Sequence, residues 1–340
     1  MTLRIVIVEG SPLARSALRQ ALEAEGDLRV VATAGDGASA LPLVKTHAPD
    51  VVVVGLEIGA GGLAVVEQIM ARAPVPILVV TAPPARDEAA LALEALRRGA
   101  LDVATRPSGP GGNADAIDLR RHVRSLAGLP VVRHVAASRA TTPPAIARGN
   151  AAAVPLVGVA ASAGGPLAVA RVLGALPPSF PGCIALVQHL PNGFVAFFAK
   201  FLRRHSAFEI VVATEDVVPR PGIVVVAPDD RHLVLTPSRS LSSSSDPPEG
   251  HYRPAATVLF RSLAQFAGAG AVGVVLTGIG DDGADGLLAM RRSGATTFAQ
   301  DAATSTVFGM PRAAIDAGAA SEALPLDAIA PALIEAVSRA

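Results

Sequence analysis

The clearest indication of the fold is the sequence Leu156-Val157-Gly158-Val159-Ala160-Ala161-Ser162-Ala163-Gly164-Gly165-Pro166. A short apolar run there ends in small residues, one serine, two glycines and a proline, and a helical pattern follows. Glycine adopts backbone angles that other residues avoid, and proline suits the first position of a helix. The stretch therefore predicts a buried strand, a tight turn and the start of a helix.

Ser162 stands at the carboxyl end of that predicted strand. Open α/β sheets bind their ligands beyond the carboxyl ends of the strands. The free N–H groups of the turn and the positive end of the helix dipole favour a developing oxyanion. The position suits a nucleophile or a bound phosphate, but neither G-x-G-x-x-G nor a P-loop follows the strand.

Length, charge and cysteine content restrict the class of protein. A chain of 340 residues is typical of two domains, and 29 basic residues balance 29 acidic ones. The single cysteine, Cys183, lies in an apolar run, which argues against disulfides and favours a reducing compartment. With no signal-peptide pattern and no apolar segment long enough for a bilayer, we expect a cytoplasmic protein without membrane insertion.

Metal, cofactor and nucleic-acid partners are not indicated. The seven histidines are scattered without the spacing of metal ligands, so we expect no metal and no cofactor. No helix-turn-helix with a basic recognition helix is present, so a DNA-binding response regulator is disfavoured.

Residues 1–127 alternate short β-branched runs with helical patterns. Strands are predicted at 3–8, 30–34, 51–54, 77–80 and 103–105. This alternation favours right-handed crossovers and a parallel sheet covered on both faces, as in a flavodoxin-like domain. Residues 128–153 carry prolines and small residues without periodicity, which indicates a linker.

Residues 154–340 alternate in the same way and predict a second α/β domain with a doubly wound, mostly parallel sheet. Its strands are predicted at 156–160, 184–188, 210–213, 223–226, 232–235, 272–276 and 296–299. Its helices are predicted at 166–173, 193–205, 254–266, 283–293, 311–317 and 326–339. The serine tract 242–245 is interpreted as a flexible surface loop.

Two other predicted strand ends carry polar residues that suit a serine nucleophile. His189 follows one strand, and Asp281 and Asp282 follow another. A nucleophilic serine needs a base and the base needs an orienting group, and parallel strands bring their carboxyl ends to one edge. Each residue also has a structural explanation, as a helix cap, a satisfied histidine or a turn residue. The appearance of all three residue types at the ends of predicted strands favours a catalytic site.

Residues 119–208 contain no aspartate or glutamate but many arginines. One interpretation is a set of solvated arginines, which charge runs usually are. The other is a positive surface that steers an acidic partner toward Ser162.

The first domain resembles the receiver domains of bacterial response regulators. The resemblance lies in Ile5-Val6-Ile7-Val8-Glu9-Gly10-Ser11, Pro49-Asp50-Val51-Val52-Val53-Val54-Gly55, Val79-Val80-Thr81-Ala82 and Arg106-Pro107. Receivers carry an acidic pair after the first strand, a phosphorylated aspartate after the third, Ser or Thr after the fourth and lysine after the fifth.

The departures from that pattern fall on the phosphorylation site. The acidic pair is Glu9-Gly10, the phosphoacceptor position holds Gly55, Arg106 replaces the lysine, and Thr81 alone is retained. Glycine has no oxygen to phosphorylate, and a single carboxylate is a poor Mg²⁺ site. The resemblance therefore implies a degenerate pseudo-receiver.

The second domain resembles the chemotaxis protein-glutamate methylesterases, the CheB family, and the receiver-like half completes that family's two-domain plan. The matching stretches are Ala160–Gly165, Val187–Pro191, Ala227-Pro228, Arg231-His232, Arg253-Pro254, Leu276–Gly283, Gln300-Asp301 and Phe308–Pro311.

The resemblance implies catalytic roles for Ser162, His189 and Asp282. It places Ala163, Gly164, Gly165 and Ile279 along the site or its oxyanion-binding turn. Three departures accompany the match: Ala163 stands for a usual threonine, Ile279 for a methionine, and Thr257 for an acidic or amide residue. None removes a member of the triad, so we expect activity with altered rate or specificity.

The resemblance also implies a function. It is the hydrolysis of glutamate methyl esters, with deamidation of glutamine as related chemistry, on the acidic helical bundle of methyl-accepting chemotaxis receptors. Phosphorylation control is expected to be lost at Gly55. The alternative is a non-catalytic or partner-gated adaptor that binds other chemosensory proteins in a signalling complex.

Overall fold

The structure is a computed structural model of the 340-residue chain. It describes residues 2–58, 61–82, 86–107, 114–129 and 154–339, with the backbone alone for 86–88. Two compact units are present and are treated separately below. The predicted linker 128–153 lies outside the described residues from position 130 onward, so its assignment stays a prediction. None of the helices in the described ranges has the length and apolar character that a bilayer span requires.

The first unit is a five-stranded parallel sheet with helical crossovers. Its strands are β1 (Leu3–Val8), β2 (Leu28–Ala34), β3 (Val51–Gly55), β4 (Ile77–Thr81) and β5 (Asp102–Thr105). Its helices are α1 (Pro12–Glu23), α2 (Gly37–His47), α3 (Gly62–Arg72), α4 (Arg86–Arg97) and α5 (Ala114–Leu126). The strand order is β2-β1-β3-β4-β5, and every residue of β3 and β4 is buried. Burial on both faces explains the unbroken valine run, and the predicted flavodoxin-like fold is confirmed.

The second unit is built on a seven-stranded parallel sheet. Its strands are β6 (Leu156–Ala161), β7 (Cys183–Gln188), β8 (Glu209–Val212), β9 (Ile223–Val226), β10 (His232–Leu235), β11 (Leu241–Ser244), β12 (Ala271–Val275), β13 (Thr296–Gln300) and β14 (Glu322–Leu324). Its helices are α6 (Gly165–Ala175), α7 (Val195–Arg203), α8 (Ala256–Phe266), α9 (Ala284–Arg292), α10 (Met310–Asp316) and α11 (Leu326–Arg339). The order is β14-β13-β12-β6-β7-β9-β8, while β10 and β11 form a separate antiparallel pair. The predicted parallel α/β fold is confirmed.

Two glycines in the central strands let helices pack closely on this sheet. A Cβ atom at Gly158 in β6 would lie 2.6 Å from Leu263 and 2.9 Å from Phe260 of α8. A Cβ atom at Gly273 in β12 would lie 2.5 Å from Cδ1 of Leu287 in α9. Real Cβ atoms essentially never make contacts shorter than 3.0 Å, so a larger residue at either position would force the facing side chains to shift. The close approach of α8 matters because its first turn reaches the site described below.

The serine tract is the clearest correction to the sequence interpretation. Residues 241–244 form β11 rather than a flexible loop, and they pair with β10 in antiparallel register. Leu241 is fully buried, and the Ser242 hydroxyl donates a 2.6 Å hydrogen bond to Asp216. The edge strand β14 was likewise not predicted, because three residues are too few to show a pattern.

Three arginines of the acid-free stretch are paired with acids from elsewhere in the sequence. Arg120 is buried and lies 2.8 Å from Glu25, Arg124 lies 2.7 Å from Asp27, and in the second unit Arg171 lies 2.5 Å from Asp327. Paired charges contribute little to a long-range field. Arg203 instead binds the Ile210 carbonyl, and Lys200 and Arg204 form no ion pair with a described acid, so the interpretation as a positive surface stays a prediction. Outside the described residues lie Arg133, Arg139 and Arg148.

Candidate active site

Three neighbouring strands of the second unit bring the candidate residues to one edge. Ser162 follows β6, His189 follows β7, and the loop that carries Asp282 follows β12. Sheet-like hydrogen bonds continue past the strand ends, because the Ser162 N–H donates to Thr277 (3.0 Å) and the His189 N–H to Ala161 (3.0 Å). The register of β12, β6 and β7 therefore sets the spacing of the three groups.

Asp282 holds the imidazole of His189. Its Oδ2 accepts a 2.8 Å hydrogen bond from Nε2 of His189, and the same oxygen accepts from the Ala256 N–H (2.6 Å). Its Oδ1 accepts from the Thr257 N–H (2.9 Å) at the first turn of α8. Burial raises the pKa of Asp282, but the hydrogen bonds from His189 and the two N–H groups outweigh burial and hold that pKa below its ordinary value. The carboxylate is thus buried and ionised.

The turn after β6 leaves several polar groups free. Gly164 has φ +73°, in the left-handed region that favours glycine, and the Gly165 N–H donates back to the Ser162 carbonyl at 2.8 Å. Within the described ranges, the Ser162 hydroxyl and the N–H groups of Ala163 and Gly164 make no hydrogen bond. Free donors at the start of α6 can stabilise an anion.

One ring nitrogen of His189 is also free. Nδ1 is buried and has no hydrogen-bond partner among the described residues, because Asp282 takes Nε2. The side chain of Ser162 is nearly buried, with 7% of the residue exposed. An unprotonated Nδ1 is an acceptor, so it can take a proton from a hydroxyl brought within reach.

Gln188 and Thr277 connect these strand ends through hydrogen bonds. The sequence analysis assigned neither of these buried polar side chains a role. Nε2 of Gln188 donates to the carbonyl of Ser162 (2.8 Å) and to that of His189 (3.0 Å). Oγ1 of Thr277 donates to the carbonyl of Ala163 at 2.8 Å. Both residues stand at the end of an apolar strand, where a polar side chain is a recognisable signal.

The other predicted site residues are placed as follows. Ala163 is fully buried and Ile279 is 4% exposed, so each presents little surface to a ligand. A Cβ atom at Gly165 would overlap Oε1 of Gln188, which explains the second glycine.

The loop of Asp282 is tied to α8 by Thr257. Oγ1 of Thr257 accepts a 2.8 Å hydrogen bond from the N–H of Gly283. Asp281 in the same loop is exposed.

Tyr252 is a further residue of the site that the sequence analysis did not name. Its ring stacks on the imidazole of His189, with centroids 4.5 Å apart and planes inclined by 11°. It is the single tyrosine of the chain and stands next to Arg253-Pro254, which was the available signal.

In the first unit, the position predicted to be a degenerate phosphorylation site lies beside the carboxylate of Glu9. Glu9 is 1% exposed, and a Cβ atom at Gly55 would overlap its Oε2. Nη1 of Arg106 lies 3.2 Å from that oxygen and 3.4 Å from Oε2 of Glu57. Thr81 is buried and its hydroxyl has no hydrogen-bond partner in the described part of the chain. The side chain of Glu9 thus fills the space beside the acceptor position.

Gly10 stands beside Glu9, at the position where receivers have the second residue of the acidic pair. The Gly10 carbonyl accepts a 3.0 Å hydrogen bond from the guanidinium of Arg15. Position 10 therefore contacts this cation through its backbone and not through an acidic side chain. Across the described residues, no group of three or more His, Cys, Asp or Glu side chains gathers as metal ligands.

The two units together define a two-domain response regulator whose second domain is a hydrolase with a mostly parallel α/β fold. A family model described as response regulator receiver domain matches residues 5–117, and one described as CheB methylesterase matches residues 157–333. The chain belongs to the CheB methylesterase family.

Relatives match over nearly the whole chain. Two proteins of Anaeromyxobacter dehalogenans are named protein-glutamate methylesterase/protein-glutamine glutaminase 3 and 2. The first is 40% identical over 96% of this chain and 97% of its own, and the second 42% identical over 98% and 96%. The crystal structure of the Thermotoga maritima CheB methylesterase catalytic domain is 33% identical, covers 54% of this chain and 99% of that one, and has a TM-score of 0.51.

Proposed function

We propose that this chain hydrolyses glutamate methyl esters, and deamidates glutamine, through Ser162, His189 and Asp282. The proposed substrates are methyl-accepting chemotaxis receptors. The observation that carries the proposal is the His189–Asp282 hydrogen bond of 2.8 Å, backed by two N–H groups of α8 and set one strand away from Ser162. Family membership supports the ester and amide chemistry.

In the proposed mechanism the Ser162 hydroxyl attacks the ester carbonyl while Nδ1 of His189 takes its proton. The free Nδ1 supports that assignment, since Nε2 is held by Asp282. The ionised carboxylate fixes the ring and stabilises its protonated form. As the tetrahedral intermediate collapses, the imidazolium protonates the leaving oxygen, which departs as methanol, or the leaving nitrogen of a glutamine, which departs as ammonia. Water attacks the acyl-serine by the same route and releases glutamate.

The developing oxyanion is assigned to the N–H groups of Ala163 and Gly164. Both lie at the start of α6 and neither donates to another described residue. Each such donor lowers the barrier by about 3–4 kcal/mol in serine hydrolases. The left-handed angle of Gly164 keeps its N–H available, and a Cβ atom there would lie 2.5 Å from Cβ of Thr306.

We further propose that aspartyl phosphorylation no longer controls this enzyme. Gly55 offers no acceptor oxygen, and the carboxylate of Glu9 fills the adjacent space in an ion pair with Arg106. Acetyl phosphate with Mg²⁺ should leave the methylesterase rate of the intact chain unchanged. Stimulation of that rate would contradict the loss of control without affecting the proposed triad.

The triad is tested on a methylated chemoreceptor fragment. Mass spectrometry before and after incubation should show loss of methyl groups with the intact chain and none with Ser162→Ala. A serine-directed fluorophosphonate should label the chain but not this variant. If neither ester hydrolysis nor labelling occurs while the chain binds the fragment, the non-catalytic adaptor is the better description.

A further inference from the structure

A short hairpin in the second unit presents Tyr252 to the site. The Tyr252 N–H donates to the Glu249 carbonyl at 3.0 Å, and the Glu249 N–H donates back at 3.2 Å. Gly250 turns the chain with φ +61°. Oε1 of Glu249 also lies 2.7 Å from Nη1 of Arg261, which anchors the hairpin to α8. The position of the tyrosine ring is therefore set by backbone pairing and by an ion pair outside the site.

The ring of Tyr252 covers one face of the imidazole of His189. The two planes are nearly parallel, at 11°, and the centroids are 4.5 Å apart. The hydroxyl end of the ring reaches the loop after β12, because a Cβ atom at Gly280 would overlap the tyrosine oxygen. Tyr252 thus contacts both the histidine and the loop that carries Asp282.

A hydrogen bond to one ring nitrogen does not by itself fix an imidazole. The torsion that turns a histidine ring about its Cβ–Cγ bond is broad, so a ring held only at Nε2 can still tilt. A parallel ring against its face removes that freedom. An aromatic face also favours a cation over a neutral ring, so the stack stabilises the imidazolium that forms during proton transfer.

We infer that Tyr252 is a positioning residue for the base, and that it acts on His189 through the stacked ring rather than through its hydroxyl. The inference rests on the proposed function of His189. It gives the ring of Tyr252, and not the exposed side chain of its neighbour His251, a role in turnover. It predicts that an aromatic ring at position 252 is required for the full rate.

The test compares Tyr252→Phe, which keeps the ring, with Tyr252→Leu, which keeps an apolar side chain without it. The methylated receptor fragment is the substrate, and kcat and KM are measured separately. We expect Tyr252→Leu to lower kcat by about three- to tenfold, the size of effect that an aromatic pair contributes, with KM nearly unchanged. Tyr252→Phe should restore kcat to within about twofold of the intact chain. The exposed neighbour His251→Ala is the matched control and should match the intact chain.

A second readout reports the stack itself. The ring protons of His189, assigned by the loss of their signals in His189→Gln, should be shifted upfield by the tyrosine ring current. The shift should persist in Tyr252→Phe and disappear in Tyr252→Leu. Urea unfolding of each variant shows whether the hairpin and the fold are retained.

The outcomes separate the inference from the proposed function. A folded Tyr252→Leu with unchanged kcat and unchanged histidine shifts would overturn the inference. So would a Tyr252→Phe as slow as Tyr252→Leu, because the hydroxyl would then be the active group. If the intact chain releases no methanol, the proposed function fails. The ring-current shift is then the independent test of the stack, and its absence in the intact chain would overturn the inference whether or not methanol is released.

Discussion

Replacing Asp282 by asparagine tests the arrangement of the site most directly. The carboxylate accepts from His189 Nε2 (2.8 Å), the Ala256 N–H (2.6 Å) and the Thr257 N–H (2.9 Å). An amide has one acceptor oxygen. With that oxygen facing His189 and Ala256, its NH₂ group meets the Thr257 N–H, and two donors face each other. In the opposite orientation the NH₂ group meets both Nε2 and the Ala256 N–H.

Either orientation of the amide has a cost that can be estimated. One buried donor left without an acceptor destabilises the fold by about 1–3 kcal/mol. The neutral amide also cannot stabilise the imidazolium, and the equivalent change in a serine protease lowers kcat by about 10⁴-fold. We expect Asp282→Asn to lower kcat for ester hydrolysis by about 10³–10⁴-fold with a modest change in KM.

Methanol release from a methylated receptor fragment measures the rate, and urea unfolding measures the stability. Asp281→Asn is the matched control, because Asp281 is the exposed neighbour and makes no contact with His189 in the described structure. A kcat of Asp282→Asn within tenfold of the intact chain would refute the assigned role. An equal loss in Asp281→Asn would show that the loss is not specific to the carboxylate that binds His189.

Three further predictions concern stability and reactivity. Burial lowers the pKa of His122, but facing aspartates, chiefly Asp102 at 2.8 Å, outweigh burial and raise it above 6.5. The protonated His122 therefore stabilises the first unit fully below pH 6.5, and this stabilisation is lost as the pH rises through the raised pKa. Urea unfolding at increasing pH should show the decrease in the free energy of unfolding. The His122→Gln variant should not show that decrease. Gly164→Ala should destabilise the second unit by about 1–2 kcal/mol and abolish methanol release, whereas Gly222→Ala, at φ +79° with open space, should only destabilise. Burial raises the pKa of Cys183 to about 12, so iodoacetamide should alkylate it in the unfolded chain and not in the native one.

The positions of the strand ends could be predicted from the sequence, and the contacts between them could not. Apolar runs ending at Ser162 and His189 mark carboxyl ends of parallel strands, and the structure has both residues there. The choice of Asp282 over Asp281 came from the family resemblance, because adjacent aspartates look alike in a sequence. Gln188 and Tyr252 were missed for another reason. Their roles depend on atoms from distant strands and hairpins, which no local pattern reports.

Two other segments depend on contacts between residues that are distant in the sequence. A serine tract resembles a loop in composition, but pairing with β10 and burial of Leu241 make it a strand. The acid-free run of arginines left two interpretations open, solvated side chains or a positive surface, because the acids that pair with Arg120 and Arg124 lie about a hundred residues earlier in the chain. A count of charged residues along the sequence does not show which of them form ion pairs in the fold.

The carboxylate beside Gly55 has a consequence for any attempt to install an acceptor at that position. A Gly55→Asp substitution would place its Cβ atom where Oε2 of Glu9 lies, so the Glu9 side chain would have to turn aside. Because that oxygen lies 3.2 Å from Nη1 of Arg106, the new aspartate would also disturb the existing ion pair.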